Sequence, residues 1–312
     1  DSVHAYRMLN EREIIKDFVE LLSLPNIADN LSNIGRNADH IIQLLESRGF
    51  STERLTAGGA PSIFAELQGN ENNETILIYA HYDGQPVLEE NWKYLPFTPT
   101  VLDAALDSGG QPVDWQSDEQ TIDPEWRLYG RSASDDKMPI IALIHTLDAL
   151  NANGIPLSVN LKLLLDGEEE KGSPTVGQIL QNHSDLLGSD LLLFCDGPMH
   201  QSRRLQLVFG VRGDTGVDIT AYGATRPLHS GHYGNWAPNP IMQLSYLLTT
   251  MRDDTGYISI NGYYDDVIPL SNLERTAIFD MPILDESLKH ELSVHTTEGD
   301  GMRLEVLITL PA

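Results

Sequence analysis

The chain has 312 residues, 46 of them acidic and 20 basic, for a net charge of −26. That length suits one large domain or two modest ones around a substantial apolar core. The charge argues against phosphate backbones or anionic lipid as principal partners, so neither nucleic acid nor membrane is expected. The single cysteine, Cys195, excludes an intrachain disulfide. No stretch approaches the roughly 18 uninterrupted apolar residues of a membrane helix, and no signal-peptide pattern opens the chain. A start at Asp1 without methionine fits processing or trimming, which leaves a cytoplasmic or an exported location open.

In chain order, residues 10–24 carry Ile14, Ile15, Phe18, Val19, Leu21 and Leu22 at helical spacing before Pro25, and residues 37–48 repeat the pattern up to Gly49. Continuous apolar runs predict strands at 62–67, 75–80, 159–165 and 190–195, with a helix over 139–152. Alternation of helices with such strands predicts an α/β fold, a mostly parallel sheet with helices on both faces. Residues 96–126, rich in Asp, Gly and Pro, read as a surface loop. From about Arg204 the texture changes to a long strand-like run, a Gly-, Asn- and Pro-rich turn, a helix over 241–251, and a last strand over 304–310. The expected division is a catalytic domain over 1–205 and a smaller α+β domain over 206–312.

Four clusters follow apolar runs: HYDGQPV, GRSASDDK, DGEEEKGS and FCDG. In an open α/β sheet, strands ending in a common row would bring His81, Asp135, Glu170 and Asp196 to one cleft, where an imidazole and carboxylates can share divalent cations. Each cluster also has an ordinary reading. His81 could be a satisfied strand-end polar residue, Asp135 and Asp136 a helix cap, Asp166 to Glu170 a solvated acidic turn, and Asp196 part of an Asp-Gly turn. The conjunction, in order and at element edges, favours the metal reading.

These blocks resemble the dinuclear zinc peptidase and deacylase family that includes carnosinases, glutamate carboxypeptidase, acetylornithine deacetylase and succinyl-diaminopimelate desuccinylase, and HYDGQPV with LYGRSASDDK leans toward the dipeptidase and carnosinase branch. The resemblance implies a zinc-exopeptidase-like catalytic domain and a lid or dimerisation domain. It implies two divalent ions, zinc with cobalt or manganese as alternatives. His81 and Asp196 would bind one, Glu170 the other, and Asp135 both. Glu169 would be the general base acting on a metal-bridging water, Asp83 would orient His81, and Glu168 would stand aside. A cis peptide is expected between Asp135 and Asp136. In LHSGHYGNWAPNP, His229 would reach a partner subunit's site, which implies a homodimer; His232 reads as an exposed loop residue. Asn239 would polarise the substrate carbonyl or open a helix.

Ser132 and Met138 stand where the family commonly has glycine, Asp166 replaces a glutamate, and the loop between His81 and Asp135 is long. The family's last zinc-binding histidine and its arginine-rich carboxylate site have no match before Ala312, so the chain reads as stopping within the lid. The expected activity is hydrolysis of an amide in dipeptides or short peptides. An N-acyl amino acid deacylase and a non-catalytic metal-binding relative are the alternatives. A serine hydrolase lacks its Gly-x-Ser-x-Gly elbow here, and no phosphate loop supports a nucleotide enzyme.

Overall fold

The structure, a computed structural model, describes residues 2–69, 74–117, 121–197, 199–211, 213 and 216–310. The chain divides into two compact units, the second opening at Met199. In the first unit the order is α1 (Ser2–Leu9), α2 (Glu11–Leu22), α3 (Leu31–Glu46), β1 (Ser51–Leu55), β2 (Ser62–Leu67), β3 (Thr75–His81), β4 (Thr100–Leu102), β5 (Arg127–Tyr129), α4 (Lys137–Ala152), β6 (Asn160–Asp166), α5 (Val176–Asn182), α6 (Ser184–Leu187) and β7 (Leu191–Phe194). It is an α/β unit with a mostly parallel sheet. The strand order is β1-β2-β6-β3-β7; β6, β3 and β7 run parallel, and β2 runs against both of its neighbours.

The two-residue period of the strands divides the core. Ile63, Ala65, Ile76, Ile78, Ala80, Leu161, Leu163 and Leu165 face one way and pack on α2, α3 and α4. Leu55, Phe64, Leu77, Tyr79 and Leu164 face the other and pack on Ile179 of α5 and Leu187 of α6. Both faces being covered explains the continuous apolar runs. Burial of each Leu or Ile is worth about 1.5–3 kcal/mol, so a one-residue slip of β6 would forfeit several such terms, and the register is held. In that register His81 lies level with Asp166, and Tyr79 with Phe194.

The expected helix boundaries shift for identifiable reasons. The helix expected from residue 37 begins at Leu31, because the Asn30 side chain accepts from the Asn33 amide and caps it. α4 begins two residues before Pro139, whose missing N–H is harmless in a first turn. The expected loop over 96–126 contains β4, which pairs with β5 through buried Val101 and Leu102.

Polar groups lie between the helices. Lys137 is fully buried and donates from Nζ to the carbonyls of Leu21 (2.9 Å) and Leu24 (3.1 Å), and burial lowers its pKa to about 7. His40 on α3 is held below its ordinary 6.5 by burial, against the attraction of Glu20 and Asp17 and with repulsion from Lys137. The folded state therefore binds this proton less well than the unfolded chain, and stability present above 6.5 is lost as the pH falls through the lowered value. His40→Gln is expected to gain stability relative to the unsubstituted protein between about pH 8 and about pH 5, read from urea midpoints. An unchanged difference across that range would refute the assignment.

In the second unit the elements are α7 (Ser230–Tyr233), α8 (Pro240–Thr249), α9 (Asn272–Phe279), α10 (Asp285–Glu291) and α11 (Leu304–Leu307). Two expected strands do not form among the described residues. The run after Arg204 has no ladder among the described residues, and Leu205 and Phe209 are 95% and 96% exposed. Apolar alternation proposes a strand, but only a neighbour's amides and carbonyls complete one. At 304–310 the chain turns into α11, because Asp285 accepts from the Leu304 amide (2.9 Å) while the Arg303 guanidinium binds the carbonyls of Phe279 and Met281. No helix among the described residues is long and apolar enough to cross a membrane.

Candidate metal centre

The site lies at the carboxyl ends of β3, β6 and β7. His81 ends β3 and Asp83 follows it by two residues, which places both on one side of the extended backbone; neither has any exposed surface. Asp83 Oδ1 lies 3.2 Å from His81 Nδ1. The two Asp83 oxygens also accept the amides of Glu169 (3.1 Å) and Glu170 (3.0 Å). Asp83 therefore orients the imidazole and fixes the acidic turn after β6 at the same time.

The turn before α4 supplies the opposite wall. The Asp135–Asp136 peptide is cis, as expected from the resemblance. Asp135, with its side chain 67% exposed, places Oδ1 2.8 Å from His81 Nε2, while Asp136 is buried and accepts the His81 amide at 3.1 Å. Asp136 occupies the N-cap position of α4 but makes no side-chain capping bond, so the helix-cap reading fails. His81 Nε2 also lies 3.9 Å from Glu169 Oε2 and from Asp196 Oδ2. One ligand atom each from His81, Asp135 and Glu170 fall within 4.8 Å of one another, and so do atoms of His81, Asp136 and Asp196. Gln85 donates to Glu170 Oε2 at 2.6 Å. Its only mark in the sequence is its position two residues after Asp83.

The electrostatics record the crowding. Burial opposes the His81 imidazolium, but Asp83, Asp135 and Asp196 overcome it and raise the group to about 10. Burial raises Asp136 to about 7, against the pull of His81. Glu169 and Asp196 are raised by burial and by neighbouring carboxylates, Asp196 and Glu170 for the first, Asp135 and Asp83 for the second. An imidazole nitrogen facing convergent carboxylates, with its other nitrogen held by Asp83, has the donor chemistry of a divalent-cation site, and such ions relieve this repulsion. Zinc, cobalt and manganese all suit these donors.

His229 belongs to the second unit, where its Nδ1 accepts the Gly231 amide at 3.0 Å and its ring lies 4.7 Å from that of His232. His232 is in α7 rather than a loop. Asn239 caps α8, accepting from Ile241 at 2.9 Å, so its helix-entry reading is realised.

An α/β sheet with a histidine and carboxylates gathered at its strand ends presents a candidate divalent-metal site. The family model of peptidase family M20/M25/M40 matches residues 77–232, half of the chain, and the protein belongs to that family. The mouse Beta-Ala-His dipeptidase is 28% identical over 256 residues, covering 80% of this chain and 46% of its own. The Cys-Gly metallodipeptidase dug1 of Schizosaccharomyces pombe is 26% identical over 313 residues, covering 93% and 61%. Among solved structures, the M20 family metallo-carboxypeptidase Sso-CP2 from Sulfolobus solfataricus superposes with a TM-score of 0.68 at 29% identity, covering 91% of this chain and 60% of that one. The chain thus spans about half the length of the curated relatives it matches.

Proposed function

We propose that the protein hydrolyses the amide bond of dipeptides or short peptides at a pair of divalent cations. His81 and Asp196 would hold one cation, Glu170 the other, and Asp135 both. Bound there, the ions supply Lewis acidity and bring the pKa of a water toward neutrality. Glu169 takes the proton of the attacking water and delivers it to the leaving amine. Asp83 keeps the imidazole in one orientation and the Glu169–Glu170 turn in register. The observation that carries this reading is the pair of hydrogen bonds from the Glu169 and Glu170 amides to Asp83, in a turn whose Glu169 carboxylate lies 3.9 Å from His81 Nε2. The dipeptidase names of the relatives support peptide over N-acyl amino acid substrates.

The second unit would serve as lid and dimer contact, with His229 placed to stabilise the oxyanion in a partner subunit. Metal content after dialysis, measured beside dipeptide hydrolysis before and after chelation, tests the proposal. Two ions per chain, activity lost on chelation and restored by zinc, cobalt or manganese are expected. Two bound ions without hydrolysis of any dipeptide would refute the function while leaving the metal site standing. Mixing His229→Ala with Glu169→Gln chains tests the shared site: recovery of activity in mixed dimers is expected, and its absence would exclude action across subunits.

A further inference from the structure

Three consecutive glutamates ordinarily read as a solvated acidic turn, but Glu168 is 1% exposed. Its carboxylate is met by three donors: the Ala60 amide (3.0 Å), the Thr175 amide (3.0 Å) and the Thr175 hydroxyl. A buried carboxylate is tolerated only when its oxygens are satisfied in this way. The donors come from segments on opposite sides of the turn, one before β2 and one before α5. Two glycines make the room: a Cβ on Gly59 would overlap the Glu168 carboxylate, and one on Gly167 would overlap the Pro61 carbonyl and the Tyr82 hydroxyl.

The backbone of the same residue completes the clamp. The Glu168 amide donates to Asp166 Oδ1 (3.1 Å), and its carbonyl accepts from Lys171 (3.2 Å) and Ser173 (3.1 Å). The next two amides are those held by Asp83. The turn bearing the two outward carboxylates is therefore gripped by Asp83 on its cleft side and by Glu168 on its core side.

We propose that Glu168 is a positioning residue, an inward carboxylate that sets where Glu169 and Glu170 stand; the inference rests on the two-cation reading of the site. Its loss frees the outer end of the turn, and the cation held by Glu170 loosens before the one held by His81 and Asp196. The test titrates Zn²⁺ into the intact, metal-free protein by calorimetry, with kcat and KM for a dipeptide measured alongside. Glu168→Met is expected to weaken the second Zn²⁺ equivalent about 10- to 100-fold and to leave the first unchanged, the range seen when groups behind metal ligands are removed. Glu168→Gln, which keeps one acceptor oxygen, should lie between Met and the unsubstituted protein. Gly59→Ala, which pushes on the carboxylate from behind, should reproduce part of the loss and carries the test together with Gln if the Met variant does not fold.

A fall in kcat with KM little changed would accompany the weaker second ion. Ile34→Val, a remote core change in α3, controls for lost stability and should leave both affinities unaltered. Second-ion affinity within about twofold in Glu168→Gln and Gly59→Ala, whatever happens to the melting temperature, would overturn the inference. Two ions bound by the unsubstituted protein with no hydrolysis would sink the proposed function alone, because the affinity readout still decides the role of Glu168. Fewer than two ions would overturn both.

Discussion

Glu169→Gln is expected to lower kcat about 10³-fold, within the range of about 10² to 10⁴ typical of a lost general base, and to leave metal content at two ions per chain. The size of the effect follows from what the substitution spares. Glutamine has the same length and volume, and the hydrogen bond that seats residue 169 runs from its main-chain amide to Asp83, so the turn keeps its shape. What disappears is the carboxylate's capacity to take and return a proton, a loss of about 4 kcal/mol in transition-state stabilisation. Glu169 Oε2 lies 3.9 Å from His81 Nε2 but Glu169 belongs to neither ligand cluster built on that histidine, so metal binding and turnover should separate. Wild-type kcat in Glu169→Gln with both ions bound would remove Glu169 from the chemistry, and loss of an ion would make it a ligand instead.

Asp83→Ala should affect every property at once. Removing this buried carboxylate takes away the oxygen 3.2 Å from His81 Nδ1 and strands the amides of Glu169 and Glu170 without acceptors. Each unsatisfied buried donor costs about 1–3 kcal/mol, partly offset by the removal of one charge from a crowded acidic site. Metal affinity is expected to fall at least about 10- to 100-fold, and kcat/KM with it, as the ligand imidazole and the second-ion carboxylate lose their alignment together. Asp83→Asn, which retains one acceptor oxygen, should be intermediate. Metal content after dialysis reads the outcome, and two retained ions in Asp83→Ala would show that the imidazole and the turn are held by other groups.

The central strands β2, β3 and β6 were legible because each is buried on both faces, whereas β7 shows the same apolar run although Leu191 to Phe194 are exposed. Residues 62–67, 75–81 and 160–166 need apolar side chains at nearly every position, and such runs stand out against polar turns. The edge strand β1 was not legible: of its five residues only Leu55 is buried, so STERL has no pattern to show. Nor does an apolar run reveal direction, and the antiparallel course of β2 emerges only from its pairing with Leu161 to Leu165 of β6. In the second unit the same kind of run misled, because alternation without a neighbouring strand is insufficient for a ladder.

At the site, residue type and place carried most of the information. His81, Asp135, Glu170 and Asp196 were marked by being polar immediately after apolar runs or before a long helix, and the fold collects them within a few ångströms of His81 Nε2. The hidden carboxylate of Glu168 was less readable. Nothing in EEE distinguishes the glutamate that turns inward, since that choice depends on the amides of Ala60 and Thr175, from sequence positions 108 residues before and seven after it.

By itself, then, the sequence determined the α/β class, the strand cores and the chemical identity of the groups at the strand ends, because burial on two faces and polarity at an edge are local properties of a chain. Only the tertiary structure decided which acids face the cleft and which the core, that Asp83 serves the imidazole and the acidic turn together, and that the runs after Arg204 and at 304–310 form no strand among the described residues. Those outcomes depend on hydrogen-bond partners brought from distant parts of the chain, and no local pattern encodes a partner that folding has yet to supply.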